Sequence, residues 1–240
     1  MNYKRVTLQT PMKKILITFL ILIPLIIIGV AWFAGNSLTA PVPVSVGNCP
    51  NDLACENVEF SSDSGAKIKG WLVKGETGKG AIVLMHGLRS NRLSLIDRIK
   101  FLQKAGYSVL AFDFQGSGES VGKQLTFGYL ESRDANASLK FIKEKLPNEK
   151  IGVMGISMGG AAFLLQNEPQ KVDALILEMV YPTIQKAIDK DIVVLNVTQC
   201  NAGKVQQGKY ATSAAFTKIG VIGGNDITTE AAVAKMMYVL

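Results

Sequence analysis

Hydrophobic positions follow four patterns along the chain. Ile15 to Ala34 is almost wholly apolar and carries no charge. At about 1.5 Å per residue, a helix of that length spans a hydrocarbon core. Val58–Ser62 and Lys67–Val73 are short β-rich segments, the second alternating, with Ser64-Gly65 between them. That pattern predicts a hairpin at the edge of a sheet. Ala81–Met85, Tyr107–Phe114, Lys150–Ile156 and Val172–Val180 are runs without alternation, as expected for strands buried on both faces. Between them, Asn91–Gly106 and Thr126–Leu146 carry apolar residues at helical spacing, ended by Gly106 and Pro147. Strands alternating with helices predict an α/β fold, a mainly parallel sheet with helices on both faces, preceded by one transmembrane helix.

Charge sharpens the N-terminal part. The chain of 240 residues carries a net charge of +7, and Lys4, Arg5, Lys13 and Lys14 supply four of those charges with no acid among them. The basic balance is thus mostly a topology signal and predicts no nucleic-acid partner. Basic residues before an apolar span favour a cytoplasmic N-terminus. The run is longer than the apolar core of a signal peptide and no clean small-x-small cleavage site follows, which favours an uncleaved anchor. The expected localisation is a single-pass membrane protein, with lipid contact through residues 15–34 and the main domain outside the cytoplasm. Ala40–Cys49 has Pro41, Pro43 and Gly47 and no periodicity, so it reads as a spacer. The expected organisation is a flank over 1–14, an anchor over 15–34, a linker over 35–56, a core over 57–190 and a distinct segment over 191–240.

Cys49 and Cys55 bracket a short loop in CPNDLAC. In an oxidising compartment they could pair, and two unrelated thiols fit the spacing equally well. His86 is the single histidine. No zinc or haem spacing exists, so neither a metal nor a cofactor is expected.

The chemistry concentrates at Gly155-Ile156-Ser157-Met158-Gly159, between a buried strand and a helix rich in small residues. Strand, G-x-S-x-G, helix is the setting of a nucleophile elbow. A glycine-rich strand-to-helix turn also occurs in nucleotide-binding folds, and spacing alone leaves that reading open. His86, Asp113, Ser157 and Glu178 all fall at the C-terminal ends of predicted strands, where ligands bind in such sheets.

Three motifs in order carry a specific resemblance: His86-Gly87, then Asp113 to Ser120 (DFQGSGES), then Gly155 to Gly159. Residues from about 40 to 190 resemble the α/β-hydrolase superfamily, and within it membrane-anchored bacterial serine-peptidase-like or thioesterase-like members. The resemblance implies Ser157 as nucleophile and the backbone N–H groups of Met158 and Leu88 as the oxyanion hole. It implies His86 as a support of the oxyanion loop. His86, Gly87 and Arg89 would form a substrate-facing loop, with Asp113 and Glu119 organising a neighbouring one. The substrate would be a small ester, thioester or peptide. The family's triad histidine follows the last strand and its acid the seventh, and neither position is filled here. Glu178 is an alternative acid, but without a second imidazole it has nothing to orient. The resemblance therefore implies a hydrolase fold incomplete at its C-terminal end and an impaired enzyme, or alternatively a non-catalytic binding protein.

From Ile192 the chain resembles another family. Ile192 to Cys200, Gly203-Lys204-Val205, Gly208-Lys209-Tyr210, Gly220-Val221-Ile222 and Asp226 to Ala232 are similar to the C-terminal domain of bacterial cytoplasmic-type asparaginases. Those enzymes take their catalytic threonines, tyrosine, aspartate and lysine from the other domain, so the resemblance implies no amidase activity. Thr198 and Cys200 correspond to a segment that lines an asparagine effector pocket in some of them. The residues themselves predict a strand over Ile192–Val197 able to add beside the sixth strand, a short helix over Ala214–Ile219, and a final helix capped by Asp226 or Thr228. A chain of this composition reads as a chimera.

Overall fold

A computed structural model describes residues 9–167, 170–178, 195–198, 205, 217, 218, 220–228 and 231. Two compact units divide at residue 40. The first is a single helix, α1 (Gln9–Thr39), whose stretch Ile15–Thr39 is long and apolar enough to cross a membrane, with mean hydropathy 2.9. It runs past Ala34, where the sequence reading ended it.

The second unit holds a six-stranded sheet. Its strands are β2 (Cys55–Ser61), β3 (Lys67–Val73), β4 (Ala81–Met85), β5 (Ser108–Phe112), β7 (Ile151–Ile156) and β8 (Ala174–Glu178), in spatial order β2-β3-β5-β4-β7-β8. β2 and β3 are antiparallel to each other, β3 is antiparallel to β5, and β5, β4, β7 and β8 are all parallel. The hairpin turns at Gly65, whose φ of +87° suits glycine. Alternate residues of the buried strands feed two cores. Val83, Met85, Leu110, Phe112 and Val153 pack with Ala135, Leu139 and Ile142 of α3 (Glu131–Lys145) and Ala162 and Phe163 of α4 (Met158–Leu164). Ile82, Leu84, Val109, Ala111 and Met154 pack with Ile99 and Leu102 of α2 (Ile96–Lys104). The period of two in each strand thus clothes both faces of the sheet with helix.

Several boundaries differ from the sequence reading. The helix expected from Asn91 begins as a 3₁₀ turn, Arg92–Leu95, which the Asn91 side chain caps by accepting from the Leu93 N–H at 3.0 Å. The helix expected from Thr126 begins only at Glu131. Its carboxylate accepts from Thr126 N–H at 2.9 Å, Thr126 Oγ1 at 2.6 Å and Gly128 N–H at 2.9 Å. Those bonds hold residues 126–128 in a turn, in which Phe127 has a φ of +54°.

The expected spacer is docked. Val42–Pro43 (β1) pairs in parallel with Ser117–Gly118 (β6). Residues 41–47 form a strap along the loop after β5: Val42 N–H donates to Gly116 C=O at 2.7 Å and Val44 N–H to Gly118 C=O at 2.8 Å. Cys49 and Cys55 are disulfide-bonded, with Cα atoms 6.2 Å apart, which decides between the two readings of that pair.

The expected addition of Ile192–Val197 beside the sixth strand is corrected. β9 (Leu195–Thr198) pairs in parallel with β10 (Ile222–Thr228) in a separate two-stranded sheet. Asp226 lies inside β10, so it does not cap a helix. Thr217 and Lys218 are helical, and the rest of Ala214–Ile219, Cys200 and the final helix beyond Ala231 lie outside the described residues.

Candidate active site

β7 ends at Ile156 and α4 begins at Met158, so Ser157 makes the whole turn between them. Its backbone sits at φ +50°, ψ −114°, a sparsely populated region for a residue with a side chain. The glycines on either side have steric reasons. A Cβ on Gly155 would lie 2.5 Å from Gly160 Cα, and one on Gly159 would lie 2.4 Å from Met85 O. The second distance brings the first turn of α4 against the C-terminal end of β4. The turn is also held from its other side: Ser157 N–H donates to Glu178 C=O at 2.7 Å. Ser157 is half-buried.

β4 runs into His86 and Gly87. A Cβ on Gly87 would touch Ser157 Cβ at 3.6 Å, so the loop after β4 lies beside the serine. Leu88 follows in that loop, half-buried, and Arg89 is exposed with a φ of +56°. Met158 opens α4 with its side chain fully buried.

His86 is fully buried, and both ring nitrogens are engaged. Nε2 accepts the backbone N–H of Phe114 at 3.0 Å. An amide only donates, so the ring proton is on Nδ1, which donates to Gly87 C=O at 2.7 Å. Burial pushes the imidazole pKa below its usual value, against the opposing pull of the Gly87 carbonyl and the Asp113 and Glu131 charges. The ring therefore ties the loop after β4 to the end of β5 and offers Ser157 no free nitrogen.

Asp113 and Glu119 organise the neighbouring loop around a residue that the sequence reading missed. Arg92 is buried, and its guanidinium pairs with Asp113 and, at 2.5 Å, with Glu119. It also donates to Gly47 C=O at 3.3 Å and stacks on the Trp71 ring at 4.8 Å. Asp113 accepts the N–H groups of Arg92 at 2.7 Å and Glu119 at 3.0 Å. Burial raises the Glu119 pKa, but the amides of Gly47 and Val46 and the Arg92 guanidinium outweigh it and hold the carboxyl below its ordinary value. No motif marks Arg92.

Glu178, the alternative acid, is occupied elsewhere. Both its carboxylate oxygens accept from Arg98 Nη2 of α2, at 3.0 and 2.7 Å. A further buried acid, Asp134 of α3, was not anticipated. It accepts from Ser62 Oγ at 2.6 Å, Ser64 Oγ at 2.5 Å and Gln115 N–H at 2.9 Å. Burial raises its pKa to about 6 against those hydrogen bonds, with Glu131 adding to the rise. Among the described residues, no group of three or more His, Cys, Asp or Glu side chains is arranged to hold a metal.

A mainly parallel sheet with helices on both faces, and a strained serine between its strand and helix, define the α/β-hydrolase class. The sequence profile described as "Serine aminopeptidase, S33" matches residues 76–197, half of the chain, and the chain belongs to that hydrolase family. A second profile, "Glutaminase/Asparaginase C-terminal domain", matches residues 174–240, so the two ranges overlap through β8 and β9. An esterase of Pyrococcus furiosus superposes with a TM-score of 0.54 at 29% identity, over 64% of this chain and 62% of that one. L-asparaginase 1 of Escherichia coli is 39% identical over 113 residues, 42% of this chain and 33% of the enzyme. The protein YfhR of Escherichia coli O157:H7 is 24% identical over 55% of this chain and 49% of its own length. The chain thus spans about a third to a half of the length of the curated relatives it matches.

Proposed function

We propose that Ser157 is the nucleophile of a serine hydrolase acting on small esters, thioesters or peptides. The N–H groups of Met158 and Leu88 serve as its oxyanion hole. The observation that supports this most is the strained backbone of Ser157 between β7 and α4, the geometry of a nucleophile elbow. The likeness to an esterase over 64% of the chain favours an ester among the three substrate classes.

A serine hydroxyl needs a base to take its proton. These 240 residues contain one imidazole, and both its nitrogens are committed to the backbone. Glu178 is committed to Arg98. Ser157 then reacts through the oxyanion hole alone, and the loss of a triad base costs about 10⁴ or more in rate. Labelling of the full chain with a fluorophosphonate tests both parts. Slow labelling that disappears in Ser157→Ala supports the reading. Fast stoichiometric labelling overturns the impairment, and labelling that persists in Ser157→Ala overturns the nucleophile.

We further propose that α1 anchors the protein in a membrane with the hydrolase unit outside the cytoplasm. The basic flank and the Cys49–Cys55 disulfide support this, because disulfides persist in oxidising compartments. Protection of the hydrolase unit from protease added to sealed spheroplasts would overturn it.

The segment from about residue 191 is proposed to be a fusion of asparaginase C-terminal sequence to the hydrolase unit, with no amidase activity of its own. An interrupted reading frame across codons 185–195 of the genomic locus would exclude a biological fusion.

A further inference from the structure

The loop that bears Leu88 is pinned at both ends to consecutive residues at the exit of β5. At its start, His86 accepts from Phe114 N–H at 3.0 Å. At its end, Arg92 N–H donates to Asp113 Oδ1 at 2.7 Å and the Arg92 guanidinium grips the same carboxylate. Arg92 is in turn held by parts distant in sequence. Glu119 pairs with its guanidinium at 2.5 Å and accepts the N–H groups of Val46 at 3.2 Å and Gly47 at 3.0 Å, while Gly47 C=O accepts from Arg92 itself at 3.3 Å. The far end of the strap is fixed to β2 three times, first by Asn57 Nδ2, which donates to Asn48 Oδ1 at 2.9 Å. Cys49 N–H donates to Asn57 Oδ1 at 3.1 Å, and Cys49 is bonded to Cys55.

We propose that Arg92 is the positioning residue of the oxyanion loop and that the disulfide-closed strap, residues 41–49, holds Arg92 in place. The physical basis is the cost of a buried guanidinium, which is low only while both carboxylates and the Gly47 carbonyl face it. Opening the strap removes the Gly47 carbonyl and the two amides that orient Glu119. Arg92 then follows Glu119 outward and its hold on the loop weakens. Reduction by a dithiol is the trigger. The dithiol gives two electrons and two protons to the Cys49–Cys55 bond, leaving two cysteine thiols, and is itself oxidised to a cyclic disulfide. The site is thereby sensitive to the redox state of its compartment.

The loop-positioning role rests on the oxyanion-hole reading above, whereas the mechanical link does not. Hydrogen exchange read by mass spectrometry on the full chain in detergent tests the link without any catalysis. Glu119→Gln, and separately dithiol reduction, are expected to speed exchange severalfold in residues 42–47 and in 87–91, leaving β4 and β7 unchanged. Applied together they should do little more than either alone, because they cut the same link. Arg92→Met should speed exchange in 87–91 at least tenfold, and Arg92→Lys should restore only part of the protection, since an ammonium cannot bridge two carboxylates as a fork does. Should Arg92→Met not fold, Glu119→Gln and reduction carry the test. Faster exchange at 42–47 with none at 87–91 overturns the proposal. Equal acceleration in β4 and β7 also overturns it, since Arg92 would then be a general stabiliser. Fluorophosphonate labelling separates the two readings. If wild-type Ser157 labels, reduction should slow it severalfold, and unchanged labelling would remove the catalytic consequence. If Ser157 never labels, the missing base accounts for it and labelling says nothing of the loop, while the exchange result tests the mechanical link on its own.

Discussion

His86 Nε2 accepts the backbone N–H of Phe114 at 3.0 Å, so the one imidazole of the chain works as a structural acceptor. Removing it leaves a buried amide without a partner, which costs about 1–3 kcal/mol on top of the packing lost against the Phe114 ring. His86→Ala is therefore expected to lower the midpoint of thermal unfolding by several degrees. The pH dependence has a definite sign. The folded pKa lies below the usual value, so the unfolded chain binds the extra proton. The stability that His86 brings is present above its unfolded pKa of about 6.5 and is lost as pH falls below it. Subtracting the unfolding curves of His86→Ala from those of the wild type across pH 5–8 should isolate that loss, and a flat difference would contradict the buried neutral ring.

Asp134 should give the opposite slope. Its folded pKa of about 6 stands above the unfolded value near 3.8, so the folded chain binds the extra proton between them. Stability from this group is highest below about pH 4 and falls as pH rises through 6. Asp134→Asn is expected to remove that slope while keeping an acceptor for the Ser62 and Ser64 hydroxyls. The difference between Asn variant and wild type, measured by urea unfolding from pH 4 to 7, checks it.

Ser157 stores backbone strain. A residue at φ +50°, ψ −114° costs on the order of 1–3 kcal/mol, and glycine escapes most of it. Ser157→Gly should raise stability by about 1 kcal/mol while abolishing fluorophosphonate labelling. Equal or lower stability would show that the turn is relaxed.

Gly159 should behave in the opposite way. A methyl group there would meet Met85 O at 2.4 Å, so Gly159→Ala must push α4 off the end of β4. Overpacking of this kind costs about 1–3 kcal/mol, and soluble yield and melting temperature should both fall.

Arg98 and Glu178 form a partly exposed pair, with Arg98 about a third exposed, so solvent screens it. A double-mutant cycle through Arg98→Met and Glu178→Gln is expected to give a coupling below about 1 kcal/mol. If Glu178 has no part in the chemistry, Glu178→Gln should leave any labelling of Ser157 unchanged.

The order of strands and helices was legible in the sequence because it depends on local pattern. Continuous apolar runs such as Ala81–Met85 mark strands buried on both faces, and Gly155 to Gly159 announces its own tight turn. The long apolar N-terminal helix was equally plain, since length and hydropathy are properties of sequence. What side chains do across the fold was not legible. Arg92 had no motif, because its partners Asp113, Glu119 and Gly47 come from segments far apart in the chain. Glu131 hid the start of α3, since its carboxylate captures amides that the periodic pattern had assigned to a helix. The strap looked like a spacer because backbone pairing with residues 116–118 leaves no mark on side-chain chemistry. The sequence by itself determined which residues form strand, helix, the long apolar N-terminal helix and the glycine-flanked turn at Ser157. Only the tertiary structure decided that His86 spends both nitrogens on the backbone, that β9 pairs with β10 rather than β8, and that Cys49 meets Cys55. Each of those depends on where side chains and strands meet in three dimensions, which periodicity and spacing do not encode.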